Sequence, residues 1–188
     1  MFRKDDNFKL QEKYYKFIKE FEEKICKVYI NGNYSNLIFL CIGTNKIVGD
    51  SVGPIIGNNL KSIENEYMQI YGTLDNTLNF INAKQTIEKI YNNFEKPFLI
   101  TIDAALSKTS NIGDIVLSEG YIKIGKALQK SICFYSNINI KCVVGRSYME
   151  KENNLEELKR VSLNETLEIA NIVTNGIKNV LKSSNIYV

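Results

Sequence analysis

Two aspartates stand out as the side chains of this sequence that could do chemistry. Asp50 follows an apolar run at residues 36–42, and Asp103 ends a second apolar run at residues 98–103. The sequence of 188 residues contains no histidine, which excludes a Ser-His-Asp triad, a Cys-His pair and a histidine-ligated zinc site. Chemistry must therefore come from carboxylates, thiols, hydroxyls, lysines or backbone amides.

A pair of carboxylates can carry out hydrolysis without imidazole. Two carboxylates that share one site repel each other, and one of them then holds a proton near neutral pH. The charged one can activate a water molecule, and the protonated one can protonate a leaving group. Each acid also has a structural interpretation, since Asp50 could cap a helix at 51–63 and Asp103 could cap a short turn at 104–107.

The segments around these acids alternate between strand and helix patterns. Apolar runs predict buried strands at 36–42, 98–103 and 138–144, with further strands at 67–72 and 112–118. Helical spacing of apolar residues predicts helices at 8–26, 51–63, 78–93 and about 163–182. This alternation predicts an α/β fold in three α/β/α layers, with a mainly parallel sheet. Ligands of such sheets bind outside the carboxyl ends of the strands, where both acids lie.

Two local signals fix helix ends. Pro54 is predicted in the first turn of the second helix, where a missing N–H costs little. Ser162 followed by Glu165 predicts a capping box at the start of the last helix. The predicted buried stripe of that last helix consists of Leu163, Leu167, Ala170, Val173, Ile177 and Leu181.

Bulk composition narrows the class of protein. The net charge of +3, from 24 basic and 21 acidic residues, is too balanced for a nucleic-acid or membrane partner. No apolar run approaches the ~20 residues that span a bilayer, and the four cysteines form no C-x-x-C pair. We expect a single domain over residues 1–188 in a reducing, cytoplasmic compartment. It would have an α/β core at 36–182 and an N-terminal helical extension at 1–30, either packed on the core or removable.

Several motifs resemble the sporulation protein YyaC family. CIGTNKIVGDSVGPIIGNNL resembles its first strand–loop–helix, and KPFLITIDAALSKTSNIGDIVLSEG resembles its second signature. YGTLD at 71–75 and the C-terminal helix region fit as well. That family is similar to the spore germination protease and to hydrogenase maturation endopeptidases. The resemblance covers residues 36–182 and implies a phosphorylase/hydrolase-like α/β/α fold of the hydrogenase maturation endopeptidase type.

The resemblance also singles out the two acids. The functional aspartates of the germination protease correspond to Asp50 and Asp103. In the similar hydrogenase endopeptidases, the acid at the Asp50 position helps to bind nickel, together with another acid and a histidine. The present sequence has Asn79 where the YyaC pattern has a histidine, so a nickel site of that kind would lack its imidazole.

Three functions remain open at this point. The first is a sporulation-associated protein of the forespore or spore cytoplasm, acting as an aspartic-type peptidase on a protein or peptide without a cofactor. Asp50 and Asp103 would be its catalytic pair, and Thr44, Asn45 and Ser107 would position the substrate. The second is a non-catalytic binding module. The third is a hydrolase that holds a divalent metal ion on the two acids. A homo-oligomer is compatible with each.

Overall fold

A computed structural model describes residues 4–124 and 132–186, which form one five-stranded sheet and five α-helices. The strands are β1 (Asn36–Cys41), β2 (Met68–Tyr71), β3 (Pro97–Ser107), β4 (Ile115–Ile124) and β5 (Ile132–Arg146). The α-helices are α1 (Lys4–Ile25), α2 (Val52–Leu60), α3 (Ala83–Asn93), α4 (Lys151–Arg160) and α5 (Leu163–Ser183). A π-helical turn, Cys26–Ile30, follows α1, and a 3-10 turn, Val48–Ser51, precedes α2. None of the described helices is both long and apolar enough to cross a membrane.

The sheet is mainly parallel, as the sequence predicts. Its strands lie in the order β2-β1-β3-β5-β4. β1 pairs in parallel with β2 and β3, and β3 pairs in parallel with β5, whereas β4 is antiparallel to β5. Every residue of β1 is buried, which is what its continuous apolar run predicts for a central strand covered on both faces.

Helices cover both faces of the sheet, which confirms the α/β/α layering. The larger buried cluster joins α1, α2 and α5 to one face and includes Phe17, Ile56 and Val173. The smaller cluster joins α3 and the outer part of the β4–β5 hairpin to the opposite face and includes Ile90 and Phe134. The predicted three-layer fold is therefore correct.

Helix α1 is part of the main core. Its side chains Phe17, Phe21 and Ile25 are at most 1% exposed. The backbone of Gly176 in α5 lies directly against Phe17, because a Cβ on that glycine would fall 2.5 Å from the phenyl ring. The N-terminal helix therefore packs on the core through large apolar side chains, and its loss would expose the apolar surface that they cover.

The outer edge of β2 is closed by the chain itself. Asn65 and Met68 exchange two backbone hydrogen bonds, of 3.0 and 3.2 Å. The N–H of Ile70 donates to Oε1 of Glu64 at 2.9 Å, and the ammonium group of Lys61 holds both oxygens of that carboxylate, at 2.8 and 2.7 Å. The edge-facing amides of Met68 and Ile70 thus already have partners.

Helix α3 begins later than the predicted helix at 78–93. It starts at Ala83, and Leu78 instead forms a parallel bridge beside the end of β1. The side chain of Asn82 accepts a hydrogen bond from the N–H of Asn79 at 2.9 Å. Asparagine side chains that bind nearby backbone groups compete with helix formation, which explains the later start.

The second half of the sheet departs most from the prediction. β3 continues through residues 104–107, so the capping turn considered there for Asp103 is wrong. β4 and β5 are longer than the strands predicted at 112–118 and 138–144, because they pair with each other as an antiparallel hairpin. The sequence patterns do not predict α4 at all. Pairing partners far along the chain supply these extensions, and local apolar spacing does not encode them.

The structure of helix α5 confirms the predicted capping box, but it buries only part of the predicted apolar stripe. The hydroxyl of Ser162 accepts from the N–H of Glu165, and the Glu165 carboxylate accepts from the N–H of Ser162. Leu163 and Leu167 are 55% and 38% exposed, so their predicted burial is wrong. Thr166 takes the buried place in the first turn, where its hydroxyl donates to backbone carbonyls. The other four predicted positions are buried: Ala170, Val173, Ile177 and Leu181.

Candidate functional site

The carboxyl ends of β1 and β3 meet where the connections of the sheet diverge. The chain leaves β1 through α2 to β2 on one side, then crosses through α3 to β3 on the other side. Ligands of open α/β sheets bind at such a switch point. Asp50 follows β1. The last residue of β1 is in register with Ile102, so Asp103 is the first residue of β3 beyond the end of β1. Asp103 therefore lies on one of the strands that flank the switch point, and Asp50 lies in the connection that leaves the other.

The loop between β1 and α2 folds Asp50 back over the end of β1. The N–H of Gly43 donates to the Leu78 carbonyl at 2.8 Å, and the N–H of Thr44 donates to the Asp50 carbonyl at 3.1 Å. Gly43 has a φ of 147°, and a Cβ there would clash with the Asp50 carbonyl oxygen. Pro54 lies in the first turn of α2, as predicted. The glycine thus makes the tight return of the loop sterically allowed.

Gly53 lets the first turn of α2 lie against the end of β1, because a Cβ there would clash with the Ile42 carbonyl oxygen. We expect Gly53→Ala to lower the free energy of unfolding by about 1–3 kcal/mol, since overpacking outweighs the gain of about 1 kcal/mol in helix propensity. Urea unfolding measures this change. Asn58→Ala, at an exposed position of the same helix, is the control and should alter stability by less than about 0.5 kcal/mol. A Gly53→Ala variant as stable as the wild type would contradict this packing.

Asp50 is mostly buried and caps no helix. The N-cap positions of the 3-10 turn and of α2 are Ile47 and Ser51, and neither has a side-chain cap hydrogen bond, so the capping interpretation of Asp50 is wrong. Burial raises the pKa of Asp50 from 3.8 to about 6, although a hydrogen bond from the Thr44 backbone opposes the shift. The carboxyl group therefore exchanges its proton in the range that suits acid–base catalysis near neutral pH.

Asp103 lies on the sheet face that bears Thr101, because side chains two residues apart along a strand share a face. On that face, the hydroxyl of Thr101 donates to Oδ1 of Asn139 on β5 at 2.6 Å. The same register pairs Asp103 with Lys141. Burial raises the pKa of the neighbouring Cys142 thiol, and the Asp103 carboxylate adds to that shift. Asp103 thus sits beside buried groups of β5 and the partly exposed Lys141.

The three predicted substrate-positioning side chains lie in loops or strand ends at this edge. Oγ1 of Thr44 accepts a backbone N–H two residues further on, at 3.3 Å. The amide of Asn45 donates to the Leu74 carbonyl at 2.8 Å and ties the two loops together. Oγ of Ser107 accepts two backbone N–H groups of the following turn, at 3.3 and 2.9 Å. A hydroxyl that accepts in this way keeps its own hydrogen for donation to another group.

Helix α4 covers one side of this edge and brings a carboxylate that the sequence prediction missed. Oε1 of Glu157 accepts the N–H of Arg146 at 3.0 Å. Gly49 and Gly145 permit the close approach, because a Cβ on Gly49 would lie 2.6 Å from the Leu158 carbonyl oxygen and one on Gly145 would lie 2.7 Å from Cγ of Glu157. The signal for α4 is its run of Lys, Glu and Leu, which are strong helix formers.

The residues at this edge do not fit a nickel site of the hydrogenase-endopeptidase kind. Asn79 stands at the histidine position, and its amide is engaged, donating to Thr77 Oγ1 at 3.3 Å and accepting the Ile81 N–H at 2.9 Å. Within residues 4–124 and 132–186, no group of three or more His, Cys, Asp or Glu residues could hold a metal ion. Lys141 also brings a positive charge into register with Asp103. These groups suit proton transfer better than cation binding.

Comparison with solved structures supports the fold assignment. The chain is similar to the [NiFe] hydrogenase maturation protease HycI from Thermococcus kodakarensis KOD1, with a TM-score of 0.52. The match covers 85% of this chain and 99% of that chain, at 15% sequence identity. At this identity the likeness concerns the fold alone. It confirms the α/β fold of the hydrogenase maturation endopeptidase type that the motifs imply.

Comparison of sequences places the chain in a family. It is 30% identical over 142 residues to a protein of Bacillus subtilis (strain 168) named "Uncharacterized protein YyaC". The match spans 75% of this chain and 67% of YyaC, which confirms the resemblance seen in the motifs. The family model described as "Protein of unknown function (DUF1256)" matches residues 7–176. The chain therefore belongs to the DUF1256 family.

Proposed function

We propose that this protein hydrolyses peptide bonds, with Asp50 and Asp103 as an aspartic-type catalytic pair. The observation that carries the proposal is the placement of two acids in unlike environments at the switch point of the sheet. Burial raises the pKa of Asp50 to about 6, whereas Asp103 lies in register with a lysine. Environments that separate the pKa values of two acids divide them into a proton donor and a base.

The reaction needs one ionised and one protonated carboxyl group. Asp103, as the carboxylate, takes a proton from water while the water oxygen forms a bond to the peptide carbonyl carbon. Asp50, in its acid form, gives its proton to the carbonyl oxygen. The intermediate then breaks its C–N bond as Asp103 passes its proton to the leaving amine and a hydroxyl proton returns to Asp50. Both acids end as they began, and one water molecule has been consumed.

A peptide substrate agrees with what surrounds the two acids. Thr44, Asn45 and Ser107 lie at the same edge and bring hydroxyl and amide groups that can hold a peptide backbone. The fold of a protease, HycI, supports peptide hydrolysis over other hydrolytic reactions. The motif resemblance to the YyaC sporulation family supports action in the forespore or spore, with small acid-soluble spore proteins as the first substrates to test.

Cleavage should be fastest at or below about pH 6. Asp50 must be protonated, and its acid form declines about tenfold for each pH unit above its pKa of about 6. We expect the initial rate of cleavage of small acid-soluble spore proteins, followed by mass spectrometry, to fall accordingly between pH 6 and pH 8. Asp103→Asn should lower the rate by about 10²–10⁴-fold at every pH.

Two results would contradict this mechanism. A rate that stays constant up to pH 8 would remove Asp50 as the proton donor. Cleavage that survives Asp103→Asn would remove Asp103 as the base. Loss of cleavage in the presence of a chelator, with recovery on adding a divalent cation, would instead support the metal-dependent hydrolase.

A non-catalytic binding module is the second candidate. The observation that favours it is Asn79, whose amide replaces an imidazole and is engaged in loop hydrogen bonds. In that case spore proteins would bind without cleavage at any pH from 4 to 8. Fluorescence anisotropy of a labelled spore protein separates the two functions, because binding without new fragments supports the module.

A further inference from the structure

Polar side chains connect β3 to β5 two residues before Asp103. The hydroxyl of Thr101 donates to Oδ1 of Asn139 at 2.6 Å, and both side chains are buried. The Asn139 amide also donates to the Gly120 carbonyl at 3.1 Å, which fixes its orientation. Neighbouring strands lie about 4.8 Å apart, so in-register side chains on one face meet. The Thr101–Asn139 hydrogen bond shows that in-register side chains on this face of β3 and β5 are in contact.

The next pair along the same face consists of Asp103 and Lys141. These two residues are in register, two positions beyond Thr101 and Asn139 on their respective strands. Lys141 is only partly exposed, and Val116 of β4 is its partner on the other side. Its side chain therefore projects from a sheet face on which β3 and β4 both place a neighbouring residue in register with it.

The other titratable groups beside Asp103 on the flanking strands are neutral or more distant in register. Cys41 on β1 and Cys142 on β5 are buried, and burial raises the pKa of both thiols, so they carry no charge near neutral pH. Arg146, at the end of β5, is in register with a residue four positions further along β3 than Asp103. Lys141 is thus the cation that β5 places level with Asp103.

We propose that Lys141 is a positioning residue of this site, whose ammonium group pairs with Asp103 and keeps that carboxylate charged, so that Asp103 is the base. The inference rests on the proposed peptide hydrolysis for its catalytic meaning, but the pairing itself can be measured without any activity. Asp50 differs because burial is the largest influence on it and favours its acid form. The charge of Lys141 therefore makes Asp103 the base and leaves Asp50 as the proton donor.

Carbon NMR of the aspartate carboxyl groups tests the pairing directly. The chain contains six aspartates, so the Cγ signals of a protein labelled with [¹³C]aspartate are few, and Asp103→Asn identifies its signal by loss. An opposite charge within about 4–6 Å lowers the pKa of an acid by about 1–3 units. We therefore expect Lys141→Met to raise the pKa of Asp103 by at least about one unit, and Lys141→Arg to leave it within a few tenths.

Lys123→Met is the matched control. Lys123 is exposed on β4, in register with Cys133 near the opposite end of the hairpin, and the substitution removes the same charge. It should leave the Asp103 titration unchanged. Backbone amide spectra that coincide with the wild type establish that each variant is folded. An Asp103 titration that is the same in folded Lys141→Met and wild type would overturn the proposal, and so would an equal shift in Lys123→Met.

The pH dependence of activity provides a second measurement. It would not change if Lys141 had only a structural role. In the pH profile of kcat/KM, Lys141→Met should move the acidic limb, set by Asp103, upward by at least about one pH unit. The basic limb, set by Asp50, should stay in place. If no cleavage is found for the wild type, the proposed function fails, while the carboxyl titration still decides the pairing. If cleavage is found and only the basic limb moves, the assignment of Lys141 fails.

Discussion

Asp50→Asn should make the protein more stable at pH 8, by about 3 kcal/mol. Burial raises the pKa of Asp50 from 3.8 to about 6, and each unit corresponds to about 1.4 kcal/mol. The unfolded chain ionises near pH 4 while the folded protein keeps the proton until about pH 6. The folded state therefore loses stability as the pH rises through this window, and the deficit is complete above it. Asparagine removes the ionisation from both states.

Urea unfolding at two pH values measures this effect. Asp50→Asn should exceed the wild type in free energy of unfolding by about 3 kcal/mol at pH 8 and by little at about pH 3, where the carboxyl group is mostly neutral in both states. Asp75→Asn, at an exposed loop position, is the control and should show no comparable pH-dependent gain. Equal stability of Asp50→Asn and wild type at pH 8 would contradict a buried, destabilising carboxylate.

The same substitution should abolish most of the proposed hydrolysis. Asparagine cannot give a proton to the carbonyl oxygen, so we expect a loss of about 10²–10⁴-fold in cleavage rate at pH 5. A variant that is more stable and less active is the usual result when a functional group is held in an unfavourable environment. A stabilised Asp50→Asn that still cleaves at the wild-type rate would place the chemistry elsewhere.

Phe17→Ala should destabilise the protein by about 3–5 kcal/mol. Phe17 is 1% exposed, its ring stacks on that of Phe21 with centroids 5.6 Å apart, and it lies against the backbone of Gly176. Removing a buried phenyl group costs the transfer free energy and leaves a cavity between two helices that cannot close fully. Since domains are stable by only about 5–15 kcal/mol, this is a large fraction of the total.

Thermal and urea unfolding measure the loss, with Tyr15→Ala as the control. Tyr15 lies on the same helix but is 67% exposed, so its replacement should cost well under 1 kcal/mol. Removal of residues 1–30 should prevent stable folding, because it deletes Phe17, Phe21 and Ile25 together and uncovers the apolar side chains of α5 and the sheet on which they pack. A truncated chain that folds cooperatively, or Phe17→Ala as stable as Tyr15→Ala, would support a removable segment instead of a core helix.

The sequence predicts elements whose signals are local. The continuous apolar run at 36–42 identifies β1, and Ser162 with Glu165 identifies the start of α5. The start of α3 is harder to predict. Apolar spacing alone predicts a helix from residue 78, whereas the side chain of Asn82 accepts a hydrogen bond from the N–H of Asn79 and stabilises a turn there. Leu163 is exposed although it fits the apolar stripe of α5, since Thr166 takes the buried position in that turn.

The candidate site likewise combines features that local sequence signals predict with features that depend on residues distant along the chain. The approximate placement of Asp50 and Asp103 follows from where apolar runs end, which the sequence shows. The environment of each acid does not follow, because it depends on partners distant along the chain. Lys141 comes beside Asp103 only through the register of β3 and β5, and α4 reaches this edge only because Gly49 leaves room for it.

The closed edge of β2 bears on how copies of this protein can associate. Sheets of two molecules join edge to edge when a strand offers unpaired amides, and such joining leads to aggregation or to fibres. In β2, Asn65 and Glu64 already occupy the outward amides of Met68 and Ile70. An incoming strand would have to displace both partners and the lysine that anchors the carboxylate. Any homo-oligomer of this protein would therefore form through side-chain surfaces rather than by extension of the sheet at this edge.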